Sequence, residues 1–235
     1  MKLLSWNIRA GGGTRCEGIL DALKTHDADT VILSEFRNGS GGDRLREGLD
    51  ILGYDYLADC TAPAKENAVL IASREMCSGE SFTERESDFP HAMLCTEFDE
   101  FDIYGVYLPH KKKHRWFDVM VKELKSSGIP SIIAGDFNTG INYVDQTGNT
   151  FMYSDRLRDL ELAGYLDAFR HVHGDVREYS WFSNMRKDGS GGNGFRYDHT
   201  WIHKDLAERV TVCEYSHAER EANLSDHSPM ILVLE

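Results

Sequence analysis

Short apolar runs rich in Val, Ile and Tyr recur along the chain: KLLSWNI, TVILSEF, AVLIAS and DIYGVYL, then PSIIAGDF, RYDHTWI, RVTVCEY and MILVL. Their length and composition predict buried β-strands. Between some of them the apolar spacing lengthens to that of a helix. Ile19, Leu20 and Leu23 mark one face of CEGILDALKTH, and Phe117, Met120, Val121 and Leu124 mark one face of WFDVMVKELKSS. A third helix is predicted in SDRLRDLELAGY, with Ser154 as its N-cap and Gly164 as its stop. GSGGD (39–43) and DGSGGNG (188–194) read as surface loops. No linker or repeat divides this mixture of strands and helices, so one layered domain is expected over residues 1–235.

Composition narrows the class without naming a function. The chain has 235 residues, 41% hydrophobic and 28% charged, as expected of a globular protein with a substantial core. No run approaches the roughly 18 apolar residues of a membrane span, and MKLLSWNIRAGGG is broken too early by Asn7 and Arg9 to be a secretory signal. Five cysteines without a C-x-x-C pair suit reduced thiols, so a cytoplasmic protein, monomeric and without membrane contact, is expected. The glycines of RAGGGTR match neither a Walker loop nor a dinucleotide fingerprint.

The net charge of −13 is uneven: residues 1–105 carry 10 Lys and Arg against 20 Asp and Glu, and residues 106–235 carry 16 against 19. Any nucleic acid would therefore be held weakly, and in a salt-sensitive way, outside an active cleft.

Candidate chemistry lies where the apolar runs stop. LLSWN ends in Asn7, VILSE in Glu35, and IIAGD in Asp136 with Asn138 close behind; Asp226 and His227 precede the last run. One strand-end Asp or Asn is ordinarily a turn residue. Several converging at strand ends, with no cysteine among them, make a hard, oxygen-rich site for Mg²⁺, with Mn²⁺ as a substitute. Such a cation commonly serves phosphate chemistry, because it neutralises charge on the phosphate oxygens.

The segments WNI, SEF, YLP, GDFN, YDHTWI and SDHSP stand in the order and approximate spacing of the endonuclease/exonuclease/phosphatase superfamily, which the chain resembles from Asn7 to Pro229. EYSWFSNMRKDGSGGNGFRYDHTWI is similar, more particularly, to the exonuclease III and apurinic-apyrimidinic endonuclease branch. The resemblance implies a four-layered α/β sandwich, with two mixed β-sheets packed face to face and flanking helices. It implies metal-dependent phosphodiester hydrolysis in nucleic acid, with DNA as the expected partner, of the kind used in DNA repair. RNA or a small-molecule or lipid phosphoester is the alternative, and an inactive binding protein a more distant one.

The same resemblance assigns roles. Glu35 is the principal metal ligand, with Asn7 beside it. Asp136 deprotonates or orients the attacking water, and Asn138 holds that water or a phosphate oxygen. His227 stabilises the transition state, with Asp198 fixing its ring. Asp226 lies in the metal's outer shell or helps to place the water, and Tyr107 contacts the phosphate or leaving group. Arg9, His110, Trp181, Phe182, Phe195 and Arg196 are the expected substrate contacts, core packing being the competing reading of the aromatics. The basic run Lys111–Arg115 reads equally as a solvated loop or a backbone contact, and His199 and His203 as structural. Ser34 and Phe36 stand where the family usually has Gln and Thr around the metal glutamate, so that ligand's local partners are expected to differ.

Overall fold

The computed structural model describes residues 1–82, 89–183 and 192–235. The chain runs through β1 (Lys2–Asn7), α1 (Cys16–His26), β2 (Thr30–Phe36), α2 (Ser40–Ile51), β3 (Tyr56–Asp59), β4 (Ala68–Ser73) and β5 (Ser78–Phe82). It continues through β6 (Met93–Glu97), β7 (Asp102–Tyr107), α3 (His114–Ser127), β8 (Ser131–Asp136), α4 (Leu157–Leu162), β9 (Tyr165–Asp167) and α5 (Ala168–His173). Last come β10 (Trp181–Ser183), β11 (Asn193–Phe195), β12 (Asp198–His203), β13 (Val210–Tyr215), α6 (Ala218–Glu221) and β14 (Met230–Leu234).

Two six-stranded sheets result, ordered β13-β14-β1-β2-β4-β3 and β5-β6-β7-β8-β12-β9, with β10 and β11 forming a separate ribbon. Each large sheet has one parallel pair, β1–β2 and β7–β8, among antiparallel neighbours. A parallel pair needs a crossover, and α1 and α3 supply them. Leu3, Ile32 and Val69 of one sheet pack against Ile103, Ile132 and Ile202 of the other. The opposite faces are covered too. Leu4, Val31 and Leu33 meet Ile19, Leu23, Leu45 and Leu49 of α1 and α2, while Tyr104, Val106 and Ile133 meet Trp116, Phe117, Met120, Leu157 and Leu160 around α3 and α4. This is the four-layered sandwich. Burial of both faces explains why its central strands read as continuous apolar runs rather than alternating ones.

Three local expectations change. GSGGD is not a loop: Ser40–Asp43 opens α2, whose Leu45 and Leu49, four residues apart, bury one face and hold the glycine-rich turn helical. Of DGSGGNG, residues 188–191 lie outside the described residues. Ser154 does not cap α4. A 3₁₀ turn, Ser154–Arg156, precedes that helix, and the Ser154 hydroxyl accepts from the Asn142 N–H at 3.1 Å instead. Gly164, at φ +93°, does end the segment. All five cysteines are free, and no described helix is long and apolar enough to cross a membrane.

Arg196 is a further correction. Its side chain is fully buried, so it cannot reach a substrate. It holds two carboxylates instead: Nε and Nη2 donate to Asp145 at 2.8 and 3.0 Å, and Nη2 donates to Asp167 at 2.5 Å. Burial alone would raise both aspartates, but Arg196 outweighs it and keeps both below the usual carboxylate range. Asp145 also accepts from the Ile141 N–H, so the network fixes the loop after β8 to the start of β12.

Arg196→Met should destabilise the fold by roughly 3–5 kcal/mol at neutral pH, because buried Asp167 loses its arginine and Asp145 keeps only Arg170. Depressed carboxyl groups contribute stability above the unfolded value of about 4 and lose it as the pH falls. The gap between wild type and variant should therefore narrow in acid. Urea unfolding at neutral and acidic pH measures both; a neutral-pH difference below about 1 kcal/mol would contradict the network's importance.

Candidate active site

The two parallel pairs bring four side chains to one end of the sandwich: Asn7 closes β1, Glu35 stands one residue before the end of β2, and Tyr107 and Asp136 close β7 and β8. β8 and β12 run antiparallel with Asp136 directly opposite Asp198. Gly135 permits the neighbouring β7–β8 approach. A Cβ there would lie 1.9 Å from the Val106 carbonyl oxygen, and its φ of +147° suits glycine.

Asp136 is buried and fully hydrogen-bonded. Oδ1 accepts from the Asn138 N–H at 2.8 Å, and Oδ2 accepts from Asn7 Nδ2 at 2.9 Å and Asn138 Nδ2 at 3.2 Å. Asn138 adopts φ +49°, and its amide also donates to the Leu108 carbonyl at 2.9 Å. Burial, reinforced by Asp198, pushes the Asp136 carboxyl up to about 7 despite the nearby His227.

His227 Nδ1 lies 2.7 Å from Asp198 Oδ2. Burial alone would lower this imidazole. Asp198 outweighs it, helped by Asp136 and Asp226, and pushes His227 up to about 10. The ring is therefore cationic at neutral pH. Its backbone is fixed as well: the His227 carbonyl accepts from Trp6 Nε1 at 3.0 Å, and Ser225 Oγ joins the His227 N–H to the Asn7 carbonyl, at 3.2 and 2.6 Å. The SDHSP turn is thus tied to β1 through Ser225, and its histidine to β12 through Asp198.

Glu35 takes a left-handed φ of +57° at an irregularity between Ser34 and Phe36 in the β2–β4 ladder. Its Oε2 accepts from the Ala10 N–H at 2.7 Å, and its Oε1 lies 3.3 Å from Asn7 Nδ2. Tyr107 is held protonated well above its usual value by burial and by the negative charge of Glu35 and Asp136.

Asp136, Asp198 and His227 each place a ligand-capable atom within 4.8 Å of the others. His227 and Asp198 already bond one another, and a cationic imidazole repels a metal, so the unmet demand for positive charge falls on Asp136 and Glu35. Two anionic oxygen donors, with no thiol beside them, fit a hard divalent cation. Asn7 Oδ1 accepts from the Arg9 N–H at 2.9 Å, and its NH₂ is turned toward the carboxylates, which it organises. Asp226 stands at the rim. Trp181 Nε1 donates to its Oδ2 at 3.2 Å, and Arg9 Nε lies 4.0 Å from its Oδ1, so it does not join the buried cluster.

The expected substrate contacts divide. Arg9 is exposed at the cleft mouth, and His110, also exposed, bonds Asn138. Phe195 and Tyr197 stack at 5.4 Å, and with His110, Asn138 and Phe151 they line a cavity of about 290 Å³. Trp181 packs on Tyr197 and approaches His227. Phe182 does not belong with them. It packs against Tyr179 and under Arg220, consistent with strand alternation turning it away from Trp181. His199 bonds the Thr139 carbonyl and His203 packs on Tyr165, both structural contacts.

Sequence reasoning missed two supporting residues. Lys113 is fully buried, not solvated, and donates to the Phe137 and Asn138 carbonyls at 2.9 and 2.7 Å; burial pushes its ammonium down to about 7, with Asp136 opposing. Asn67 donates to the Tyr107 hydroxyl at 3.1 Å. Lys113 is hidden within a basic run, whereas Asn67 sits just before AVLIAS and shares the strand-end signal.

The Endonuclease/Exonuclease/phosphatase family description matches residues 4–227. The chain is similar to an exodeoxyribonuclease of Bacillus subtilis, 26% identical over 262 aligned residues that cover 100% of this chain and 99% of the relative. Its fold is similar to that of an AP endonuclease from Archaeoglobus fulgidus, with a TM-score of 0.85, 20% identity and coverage of 100% and 99%. It is likewise similar to a 3′-5′ exonuclease from Neisseria meningitidis, with a TM-score of 0.86, 19% identity and both chains covered in full.

Asp198→Asn removes the strongest influence holding the His227 proton. In chelator-treated protein the imidazole should fall from about 10 toward the ordinary histidine range, followed by NMR of its ring carbons. An imidazole that still titrates near its wild-type position would remove Asp198 as its electrostatic partner.

Proposed function

Because the chain belongs to the Endonuclease/Exonuclease/phosphatase family, we propose that it hydrolyses phosphodiesters in DNA with Mg²⁺ or Mn²⁺, as a 3′-5′ exonuclease, an abasic-site endonuclease, or both. The observation that carries this reading is the opposition of Asp136 and Asp198 with His227 bound to Asp198. It provides a proton acceptor and a buried cation within reach of one phosphate.

Glu35 would hold the divalent ion, beside Asp136. When bound, that ion supplies neutralisation of the negative charge on the phosphate oxygens. The remaining roles belong to the chain. Asp136, held by the Asn7 and Asn138 amides, accepts a proton from the attacking water. His227 donates from Nε2 to a non-bridging oxygen, its charge maintained by Asp198 as the pentacovalent transition state builds negative charge. Tyr107, kept protonated, donates to the same phosphate. The aromatic wall of Trp181, Phe195 and Tyr197 offers faces for a sugar or an unstacked base. The P–O3′ bond breaks as water adds, and the departing 3′-oxygen takes a proton through water, so the products carry a 5′-phosphate and a 3′-hydroxyl. The net charge of −13 favours a second reading, a smaller phosphodiester substrate.

Asp136→Ala or His227→Ala should each lower turnover by roughly 10²-fold or more while leaving a folded protein. Cleavage of abasic duplex, intact duplex, single-stranded DNA, RNA and a small phosphodiester, each with and without chelator, tests the substrate. Chelator-sensitive cutting of DNA is expected. Cutting confined to the small ester would end the nuclease reading, and near-normal activity in Asp136→Ala would end the phosphoesterase assignment.

A further inference from the structure

A tyrosine hydroxyl carries one proton, and the direction of that proton decides what the group can do. Asn67 Nδ2 donates to the Tyr107 oxygen at 3.1 Å. The other end of the same amide, Oδ1, accepts from Arg37 Nε at 2.5 Å. A guanidinium can only donate, so Arg37 fixes which end of Asn67 is oxygen and turns the NH₂ toward the tyrosine. With Asn67 donating to the hydroxyl oxygen, the Tyr107 proton must point elsewhere. It is left facing the cleft, on the side of the negatively charged Glu35 and Asp136.

Arg37 is itself confined by the glycine run that no nucleotide motif explained. Arg9, Ala10, Gly11, Gly12 and Gly13 all have positive φ, from 52° to 73°. This left-handed strap brings the Ala10 N–H to the Glu35 carboxylate and the Gly11 N–H to the Glu35 carbonyl, at 2.7 and 2.8 Å. A Cβ at Gly11 would lie 2.9 Å from Arg37 Cβ, so the strap closes on the arginine stem only because residue 11 has no side chain. One segment thus sets both the metal-site carboxylate and the residue that orients Asn67.

We propose that Asn67, oriented by Arg37, is a positioning residue that makes Tyr107 an obligatory hydrogen-bond donor to the substrate phosphate. The inference rests on the phosphoesterase reading. An acceptor-only group at position 67 would draw the tyrosine proton to the back wall and leave a lone pair facing an anionic substrate.

Asn67→Asp is close to isosteric and keeps a partner for Arg37, but it cannot donate. Its kcat on the best DNA substrate should fall about 10- to 100-fold, as in Tyr107→Phe, with KM changed less than about 3-fold. In the Tyr107→Phe background the same substitution should cost less than about 2-fold, because the proton it misdirects is gone. Arg37→Met, which frees the amide to flip, should lower kcat by a smaller factor and also be silent in that background. Thermal unfolding identifies any variant that fails to fold, in which case the other carries the test. Additive losses in both double variants would overturn the inference. Full activity of Tyr107→Phe would also overturn it, while leaving the phosphoesterase reading to stand or fall on Asp136→Ala.

Discussion

The β8–β12 register places the Cα atoms of two buried aspartates opposite one another, an arrangement that costs stability wherever like charges face across a ladder. Much of the cleft's architecture offsets that crowding. His227 lends a positive charge to Asp198, the Asn7 and Asn138 amides converge on Asp136, and the Asn138 backbone donates to its remaining oxygen. Even so the Asp136 carboxyl stays raised, so the site retains a demand for positive charge. On the proposed reading a divalent ion would meet that demand and let a phosphate approach what would otherwise repel it. Electrostatic tension that would be a defect in a core is here the property that makes the site usable.

The same segment contains the opposite solution. Arg196, two residues before Asp198, neutralises Asp145 and Asp167 with full burial and hydrogen bonds of 2.5–3.0 Å. Saturated in this way, the network has no capacity left for a ligand. It fixes the loop between β8 and α4 that carries Asn138 and one wall of the aromatic cavity. Tyr197 lies between the two charge systems, with its ring stacked on Phe195.

The strand ends were legible because each breaks an apolar run with a residue that an apolar run does not need. Asn7, Glu35 and Asp136 follow from that rule, Tyr107 follows only from the family resemblance, and the two parallel pairs explain why all four converge at one end. What local pattern could not show is which way a polar side chain turns. The resemblance places Arg196 among the substrate contacts, and only the opposing Asp145 and Asp167, distant in sequence, make its burial possible. Phe182 was grouped with Trp181 although strand alternation separates their faces. Lys113 was lost in a run of basic residues because its partners are carbonyls about 25 positions downstream.

The unusual neighbours of Glu35 are explained by the same distinction between side chain and backbone. Ser34 and Phe36 are both fully buried: Ser34 donates to the Val106 carbonyl in the opposite sheet at 3.0 Å, and the Phe36 ring packs in the outer core beneath Arg46. Neither supports the Glu35 carboxylate. Its support comes from the Ala10 N–H, and its left-handed backbone is held by the Gly11 N–H on its carbonyl. A non-glycine residue at φ +57° is strained, and such strain persists only where the surroundings over-determine it. The glycine strap provides that determination. The residues on either side of Glu35 are therefore free to serve the two cores, and the expected change in the ligand's local partners is met by main-chain groups from another part of the chain.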